Sequence, residues 1–282
     1  MIDLHVHTNA SDGTLSPAEM VQYACARGLS AVAITDHDTV EGVAEALAAG
    51  GKAGIEVVPG IEISAEHQQS TLHILGYYIR HDDQLLQERI AVLQKARNER
   101  NPRIIEKLRN LGVAITLQQV EQEAETGQVG RPHFAKVMVQ QGYVRTEREA
   151  FERYLKKGAR AYVDKYRFAP DAAIGCIRDA GGVAVLAHPS IIGRQGSAVL
   201  QGLVAELSGC GLQGIEVYYP EHSSRQQELY KSLAQQYNLI ETGGSDFHGA
   251  SVNGIEIGTG RGSLYVPDEL LQMLKKFRAV QA

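Results

Sequence analysis

The sequence predicts an α/β fold: a distorted, seven-stranded (β/α)7 TIM-like barrel that carries an inserted helical subdomain. Three observations predict it. Short, β-branched apolar runs alternate with amphipathic stretches of helical period, the pattern of a mostly parallel sheet covered by helices. Seven such runs occur, enough to close a barrel, with an open doubly wound sheet as the lesser alternative. The chain has 282 residues, 44% of them hydrophobic and 22% charged, which one α/β core of this size accommodates.

The expected strands span residues 2–5, 31–34, 56–58, 71–77, 183–187, 214–217 and 239–241. Helical stretches follow at 17–27, 40–48, 170–180, 197–208 and 223–237. The first of these opens with Ser16 as N-cap and Pro17 at the first helical position, where its missing N–H costs nothing. Between residues 78 and 166 the alternation breaks and helix follows helix. The core of that stretch, 98–166, reads as a helical subdomain set between a first barrel part, 1–97, and a second, 167–282. Its leading helix carries Lys95, Arg97, Arg100 and Arg103. The last three, spaced by three, share a face, which is expected to be solvated.

Charge and cysteine usage exclude several classes. The net charge is −5, so the surface as a whole is not a nucleic-acid or anionic-membrane binder, and an anionic substrate must be caught locally. Cys25, Cys176 and Cys210 form no C-x-x-C pair, which argues against a disulfide framework and a thiolate metal site. They are expected as small buried hydrophobes in a reducing cytosol. No leader-like segment opens the chain, and no apolar run approaches the roughly 20 residues that span a bilayer. The expectation is a cytoplasmic protein with no membrane association and no stable protein partner.

The ten histidines are not scattered. In a βα barrel the C-terminal ends of the strands converge on one mouth. The first strand ends in His5-Val6-His7 and is followed by Ser11-Asp12-Gly13. The second runs into Thr35-Asp36-His37-Asp38, the third into Gly60-Ile61-Glu62, and the fourth contains His73. The fifth ends at Ala187-His188-Pro189, and the seventh is followed by Gly244-Ser245-Asp246-Phe247-His248. Any one of these residues alone would be read as a solvated or core side chain. Together they place six histidines with Asp12, Glu62 and Asp246 at one mouth. Mixed imidazole and carboxylate ligation suits Zn, Mn or Fe(II), and the lack of thiolates argues against a structural zinc site. His67, His81 and His222 are expected at the surface.

These motifs resemble the PHP superfamily, named for its polymerase-associated and histidinol-phosphatase members, over essentially the whole chain. The resemblance implies that His5, His7, Glu62 and Asp246 hold one divalent ion. Glu62 then bridges to a second held by His73 and His188, and Asp12, His37 and His248 hold a third. It implies two or three ions in all, with Mn(II) expected and Fe(II), Zn(II) or Mg(II) compatible. Glu62, Asp246 and His188 become the catalytic ligands around a bridging hydroxide nucleophile. The chain departs from many relatives in having Asp12 where they have His, and a carboxylate favours harder ions such as Mn or Mg over Zn.

Three divalent ions, offset by three carboxylates and one hydroxide, leave about two positive charges, which suits a phosphate dianion. No protein nucleophile is required. Ser11, Thr35 and Ser245 lie in no G-x-S-x-G elbow and are expected to support neighbouring ligands. Substrate-holding residues are expected just outside the metals: Arg131 and His133 in Gly130-Arg131-Pro132-His133 at a helix start, and Arg194 in the loop after the fifth strand. Tyr154, Tyr218 and Tyr219 are candidate stacking partners for a base, with packing as the simpler role.

Within the superfamily the resemblance is to the nucleotide-directed branch. It implies a phosphoric ester hydrolase that removes the 3′-phosphate of 3′,5′-bisphosphonucleotides. A 5′-to-3′ exoribonuclease activity on short 5′-phosphorylated RNA belongs to the same implication. A histidinol-phosphate phosphatase is the first rival. A metal-dependent amidohydrolase is the second, although its fourth strand usually offers a bridging Lys where this chain offers His73.

Overall fold

The computed structural model describes residues 1–68, 70–124, 127–193, 196–249 and 254–281. The elements run β1 (Ile2–Val6), α1 (Pro17–Ala26), β2 (Ala31–Ile34), α2 (Val43–Ala53), β3 (Glu56–His67) and β4 (Ser70–Tyr77). A helical stretch follows with α3 (Gln84–Asn110), α4 (Leu117–Glu123), α5 (Arg131–Gln140), α6 (Glu147–Ala150) and a π-helical turn, Phe151–Leu155. The alternation then resumes: α7 (Pro170–Asp179), β5 (Val183–Leu186), α8 (Ser190–Gly193), α9 (Ser197–Gly209), β6 (Gly214–Tyr218), α10 (Ser224–Tyr237), β7 (Ile240–Gly243) and α11 (Asp268–Gln281). The Ser16 hydroxyl accepts from the Glu19 N–H, capping α1 as expected. Helix α2 starts later than expected and continues through Gly50 and Gly51, where packing on the sheet outweighs the poor helical propensity of glycine.

The seven strands form one sheet in chain order. Pairings among β1, β2 and β3 and among β5, β6 and β7 are parallel, whereas β4 is antiparallel to both neighbours. Four of the sheet's six pairings are parallel, in line with the expected mostly parallel sheet, and β4 makes the sheet a mixed one. The cause is local. Strand β3 continues to His67 and returns almost at once as β4, and so short a connection permits only an antiparallel pair. The sheet curls until its ends meet: Val6 pairs with Phe247 just beyond β7, and the Asp246 N–H donates to the His5 carbonyl at 2.8 Å. This meeting requires Gly244, because a Cβ there would lie 2.4 Å from that of His5.

Side-chain alternation decides what faces the inside of the curl. Val58, Leu75, Tyr77, Val185 and Ile240 pack with Leu270, Leu271 and Leu274 of α11 on the inner side. Ile61, Ile63, Ile74, Leu186 and Ile215 pack outward against the surrounding helices. Strand β1 breaks the alternation. Leu4 belongs to the inner cluster and Val6 to the outer one, across a register irregularity between Asp3 and Val6. Such a bulge re-aims side chains, and it turns His5 and His7 to the same face as Glu62 and His73.

A third apolar cluster draws only on residues between Ile104 and Val163, with Phe134, Met138 and Leu108 at its centre. Helix α3 feeds it and runs without a break through residue 98. Cys176 is buried, but Cys25 and Cys210 are exposed, correcting the expectation for those two. His222 is buried as well, its Nδ1 bonded to the Val217 carbonyl. No helix among the described residues is long and apolar enough to cross a membrane.

The helical stretch presses on the loop after β1 at Gly127, where a Cβ would lie 1.8 Å from the Asn9 carbonyl oxygen, and the adjacent Gln128 N–H donates to the Ala10 carbonyl. Gly127→Ala is expected to cost about 1–3 kcal/mol, as overpacking does, read as a lower denaturant midpoint. An unchanged midpoint would show that this contact is not tight.

Candidate metal and phosphate site

The structure brings all nine expected ligands together, although Glu62 and His73 lie within β3 and β4 and not at their ends, because β3 runs on to His67 and turns back as β4. Glu62, fully buried in β3, is their centre. Its Oε1 lies 2.9 Å from His73 Nδ1 and 3.0 Å from His188 Nε2. Its Oε2 lies 2.9 Å from His37 Nδ1, 3.3 Å from His7 Nε2 and 3.4 Å from His5 Nε2. Asp246 Oδ1 faces the same His7 and His5 nitrogens at 3.1 and 3.4 Å. On the far side of His7, Asp12 Oδ1 is 3.4 Å from His248 Nε2.

Their hydrogen bonding marks these atoms as metal donors. His5 Nε2, both ring nitrogens of His7, His37 Nδ1 and Glu62 Oε2 are buried with no hydrogen-bond partner. Lone pairs that face one another need a cation between them. Two donors about 2.1 Å from one tetrahedral ion stand roughly 3.4 Å apart, the spacing seen here. Three groupings fit: His5, His7 and Asp246; His37, Glu62 and His73; and His7, Asp12, His37 and His248.

Neighbouring groups fix which nitrogen faces the centre. His5 Nδ1 donates to Glu216 at 2.9 Å, and His248 Nδ1 donates to the Asp246 carbonyl at 2.8 Å, leaving each Nε2 turned inward. Glu216 also accepts from the His188 N–H at 2.6 Å, and the Tyr219 hydroxyl donates to Asp246 Oδ2 at 3.0 Å. Tyr219 thus supports Asp246. Tyr154 is buried in the third cluster, and Tyr218 packs under Lys231. Ser11 donates to Asp36, and Thr35 bridges both backbone groups of Val6, so both have supporting partners. Asp38, His188 and Asp246 hold φ of 55, 27 and 57°, left-handed conformations that cost energy and cluster at functional sites.

The carboxylates and imidazoles titrate together. Burial opposes ionisation of Asp12, Glu62 and Asp246, but the surrounding histidines hold all three well below the usual carboxylate range. Burial also opposes charging of His7, yet Asp246 and Glu62 raise it to about 10. Burial lowers His73 to about 4 in spite of Glu62.

Beside the cluster lies a cleft of about 230 Å³ whose walls include Asp12, His37 and His73 together with Arg97, Arg100, Arg131, Lys165 and Arg167. Arg97 and Arg100 are only 6% and 4% exposed, so these two are buried against the cleft where solvation was expected, whereas Arg103 and Lys95 are exposed as expected. Arg97 pairs with Asp38 at 2.6 Å. Among the described residues no carboxylate pairs with Arg100, whose partner is the amide oxygen of Asn101, or with Arg131, which donates to the Leu155 carbonyl. Burial and the nearby Arg97, Arg131 and Arg167 push Arg100 well below its ordinary range. His133 accepts the Gly130 N–H on Nδ1 at the start of α5. Arg194 lies outside the described residues.

Sequence reasoning missed Glu216, Asp38 and Lys165 as parts of the site. For Glu216 the signal was a single charge in the apolar run of β6. Lys165 sits in an irregular segment and offered none.

A family profile, that of the PHP domain, matches residues 3–164. The chain belongs to the PHP domain family. It is 34% identical over 260 residues to the 3′,5′-nucleoside bisphosphate phosphatase of Chromobacterium violaceum, covering 91% of this chain and 90% of that one. It is 34% identical over 278 residues to a 5′-3′ exoribonuclease of Haemophilus influenzae, covering 98% of each. A Bifidobacterium adolescentis protein described as a metal-dependent phosphoesterase superposes with a TM-score of 0.86 at 30% identity, over 97% of this chain and 94% of that one. This PHP protein is accordingly a phosphoesterase, and its His, Asp and Glu cluster suits divalent metal ions.

The raised His7 sets a pH dependence for the metal-free protein. Its contribution is fully present below 6.5, the unfolded value, and is lost as pH rises through about 10. Thermal melts of chelated protein are expected to weaken from pH 6 to pH 9.5. Added Mn(II), which takes the place of the proton, is expected to restore stability most at the alkaline end. Equal stability of the chelated protein across that range would contradict the arrangement.

Proposed function

We propose that the protein removes the 3′-phosphate of 3′,5′-bisphosphonucleotides such as 3′,5′-bisphosphoadenosine, giving a 5′-nucleotide and phosphate. The same site would release nucleotides from the 5′ end of short 5′-phosphorylated RNA. The observation that carries this reading is the adjacency of two unsatisfied sets: buried donors with no hydrogen-bond partner, and beside them the buried Arg100 and the half-buried Arg131, neither paired with a carboxylate among the described residues. A substrate with one phosphate for each set satisfies both. The names of the phosphatase and exoribonuclease relatives support it.

In this reading His5, His7, Glu62 and Asp246 hold one ion, Glu62, His73 and His188 a second, and Asp12, His37 and His248 a third, with Mn(II) as the working metal. Divalent cations held there ionise water near neutral pH and draw charge from phosphoryl oxygens. The protein's own residues do the rest. Glu216 keeps the His5 ring turned so that Nε2 faces inward, and Tyr219 steadies Asp246. Arg131 and Arg100 take the phosphate that does not react, with His133 ordering the first turn of α5 and Arg194, six residues beyond His188 in the sequence, assigned to the same phosphate. Binding at that distance from the reacting bond orients the ester. The P–O3′ bond breaks, the oxygen of water joins phosphorus, and the 3′ oxygen leaves with a proton. We read 98–166 as the inserted subdomain, which supplies Arg100, Arg131 and Lys165 to the cleft, and the reducing cytosol as the protein's location.

The anchor is tested by comparing 3′,5′-bisphosphoadenosine with adenosine 3′-monophosphate. The bisphosphate is expected to have much the higher kcat/KM. Arg131→Ala is expected to narrow that gap by the worth of a charge-assisted contact, about 1.5–3 kcal/mol. Equal rates on both substrates in the wild type would remove the anchor and favour histidinol phosphate or a general phosphomonoester.

The carboxylate at Asp12 tests the metal. After chelation, Mn(II) is expected to restore activity best, with excess Zn(II) weak or inhibitory. Asp12→His is expected to shift that preference toward zinc. A variant with unchanged preference and rate would place Asp12 outside the coordination sphere.

A further inference from the structure

We propose that Asp38 is a positioning residue for the anchor phosphate, holding Arg97 and Lys165 in the cleft as a paired cation receptor. The inference rests on the two-phosphate reading above. Asp38 is wholly buried. Its Oδ2 accepts from Arg97 Nη2 at 2.6 Å, Lys165 Nζ at 3.0 Å and the Ser64 hydroxyl at 3.0 Å, and its Oδ1 accepts the Ser64 N–H at 2.8 Å. The protein therefore occupies both oxygens, which leaves the carboxylate nothing to offer a substrate. The cations it holds are not fully occupied. Arg97 Nε is buried with no hydrogen-bond partner, and the Lys165 ammonium has three donors with one bond accounted for. Both side chains line the same cleft as Arg100 and Arg131.

Charge explains why a carboxylate must stand there. Five cations around one small cleft repel one another, and a buried cation without a partner is costly. Asp164 and Glu66 pair with Arg167, Asp38 lowers the cost under Arg97 and Lys165, and Arg100 and Arg131 keep the cleft positive. Arg97 comes from α3 and Lys165 from the segment before β5, so no common element aligns them. Asp38, directly after His37, is the point they share. It holds a left-handed φ of 55°, a costly conformation for a residue with a side chain.

A merely structural role can be separated from this one. The Asp38 carbonyl accepts the side-chain amides of Gln94 and Gln128, which ties the helical stretch to the barrel. That tie belongs to the backbone and survives a change of side chain.

The test is Asp38→Asn in the full chain, checked for wild-type secondary structure and metal content. The KM for 3′,5′-bisphosphoadenosine is expected to rise at least tenfold, with the smaller loss in kcat. Calorimetric affinity for adenosine 5′-monophosphate should fall by a similar factor, and Asp38→Glu should recover part of both. Unchanged KM and affinity in the Asn variant would overturn the assignment. So would a loss of bound metal matching the loss of rate, since Asp38 would then act through His37. If the Asn variant fails to fold, Asp38→Glu, which keeps the charge but displaces it from Arg97 and Lys165, must itself raise KM and weaken adenosine 5′-monophosphate binding at wild-type metal content, and no change in either would overturn the assignment. Should the wild type fail to prefer the bisphosphate, the two-phosphate reading falls and this assignment with it. If the wild type prefers it and Asp38→Asn keeps the preference, the Asp38 assignment alone falls.

Discussion

The structure depends on the need to keep one buried carboxylate satisfied. Glu62 is fully enclosed and has five imidazoles within 3.4 Å of its oxygens. A lone buried carboxylate carries a desolvation penalty of several kcal/mol. Imidazoles relieve it only if they are protonated or share a cation with it. Several features of the fold bring those rings to it. The bulge in β1 turns His5 and His7 inward, the tight return of β4 lays His73 beside β3, and Gly244 lets the end of β7 reach β1. Left-handed backbone at His188 and Asp246 completes the set. Each is a local cost, tolerated because the centre overdetermines it.

The cleft next to this centre has the opposite deficit. Arg100 is buried and Arg131 half-buried, yet Arg100 meets an amide oxygen, and Arg131 a carbonyl oxygen and the Tyr162 ring, with no carboxylate paired to either among the described residues. The chain as a whole is acidic, so this local excess of positive charge is a matter of placement. An anion that enters recovers interaction energy the empty cleft forgoes, and it does so where the low dielectric strengthens each contact.

How much of this was legible depended on whether a residue's role was written in local pattern. The strand ends were, because period-two runs of apolar residues locate a strand, and a polar residue at its C-terminal end must emerge at the mouth. The third-strand motif showed Glu62 without showing that β3 runs on past it to His67. The antiparallel β4 was hidden, since a strand's direction depends on the length of its connection more than on its composition. Arg97 and Arg100 were misread as solvated because helical spacing shows that they share a face but not what covers it. His222 was misread for a similar reason: its burial comes from Tyr219 and Tyr230, which pack on its ring. Glu216 and Lys165 act through partners far away in the chain, and no window of sequence holds both members of either pair.

The short segment after β2 couples the two charge systems. Asp36 accepts from Thr8 and Ser11, bracing the loop that carries Asp12. His37 faces Glu62 in the donor cluster, and Asp38 lies beneath Arg97 and Lys165 in the cleft. Three consecutive residues thus brace a loop, enter the donor cluster and balance the anion cleft. A shift of this backbone by a fraction of an ångström would move all three together, because close-packed interiors transmit displacement instead of absorbing it. The separation between the place where charge is neutralised and the place where an anion is held is therefore set by covalent geometry. On the two-phosphate reading proposed above, a site built this way measures the distance between two phosphates on one substrate. A site assembled from independent loops would admit a wider range of spacings.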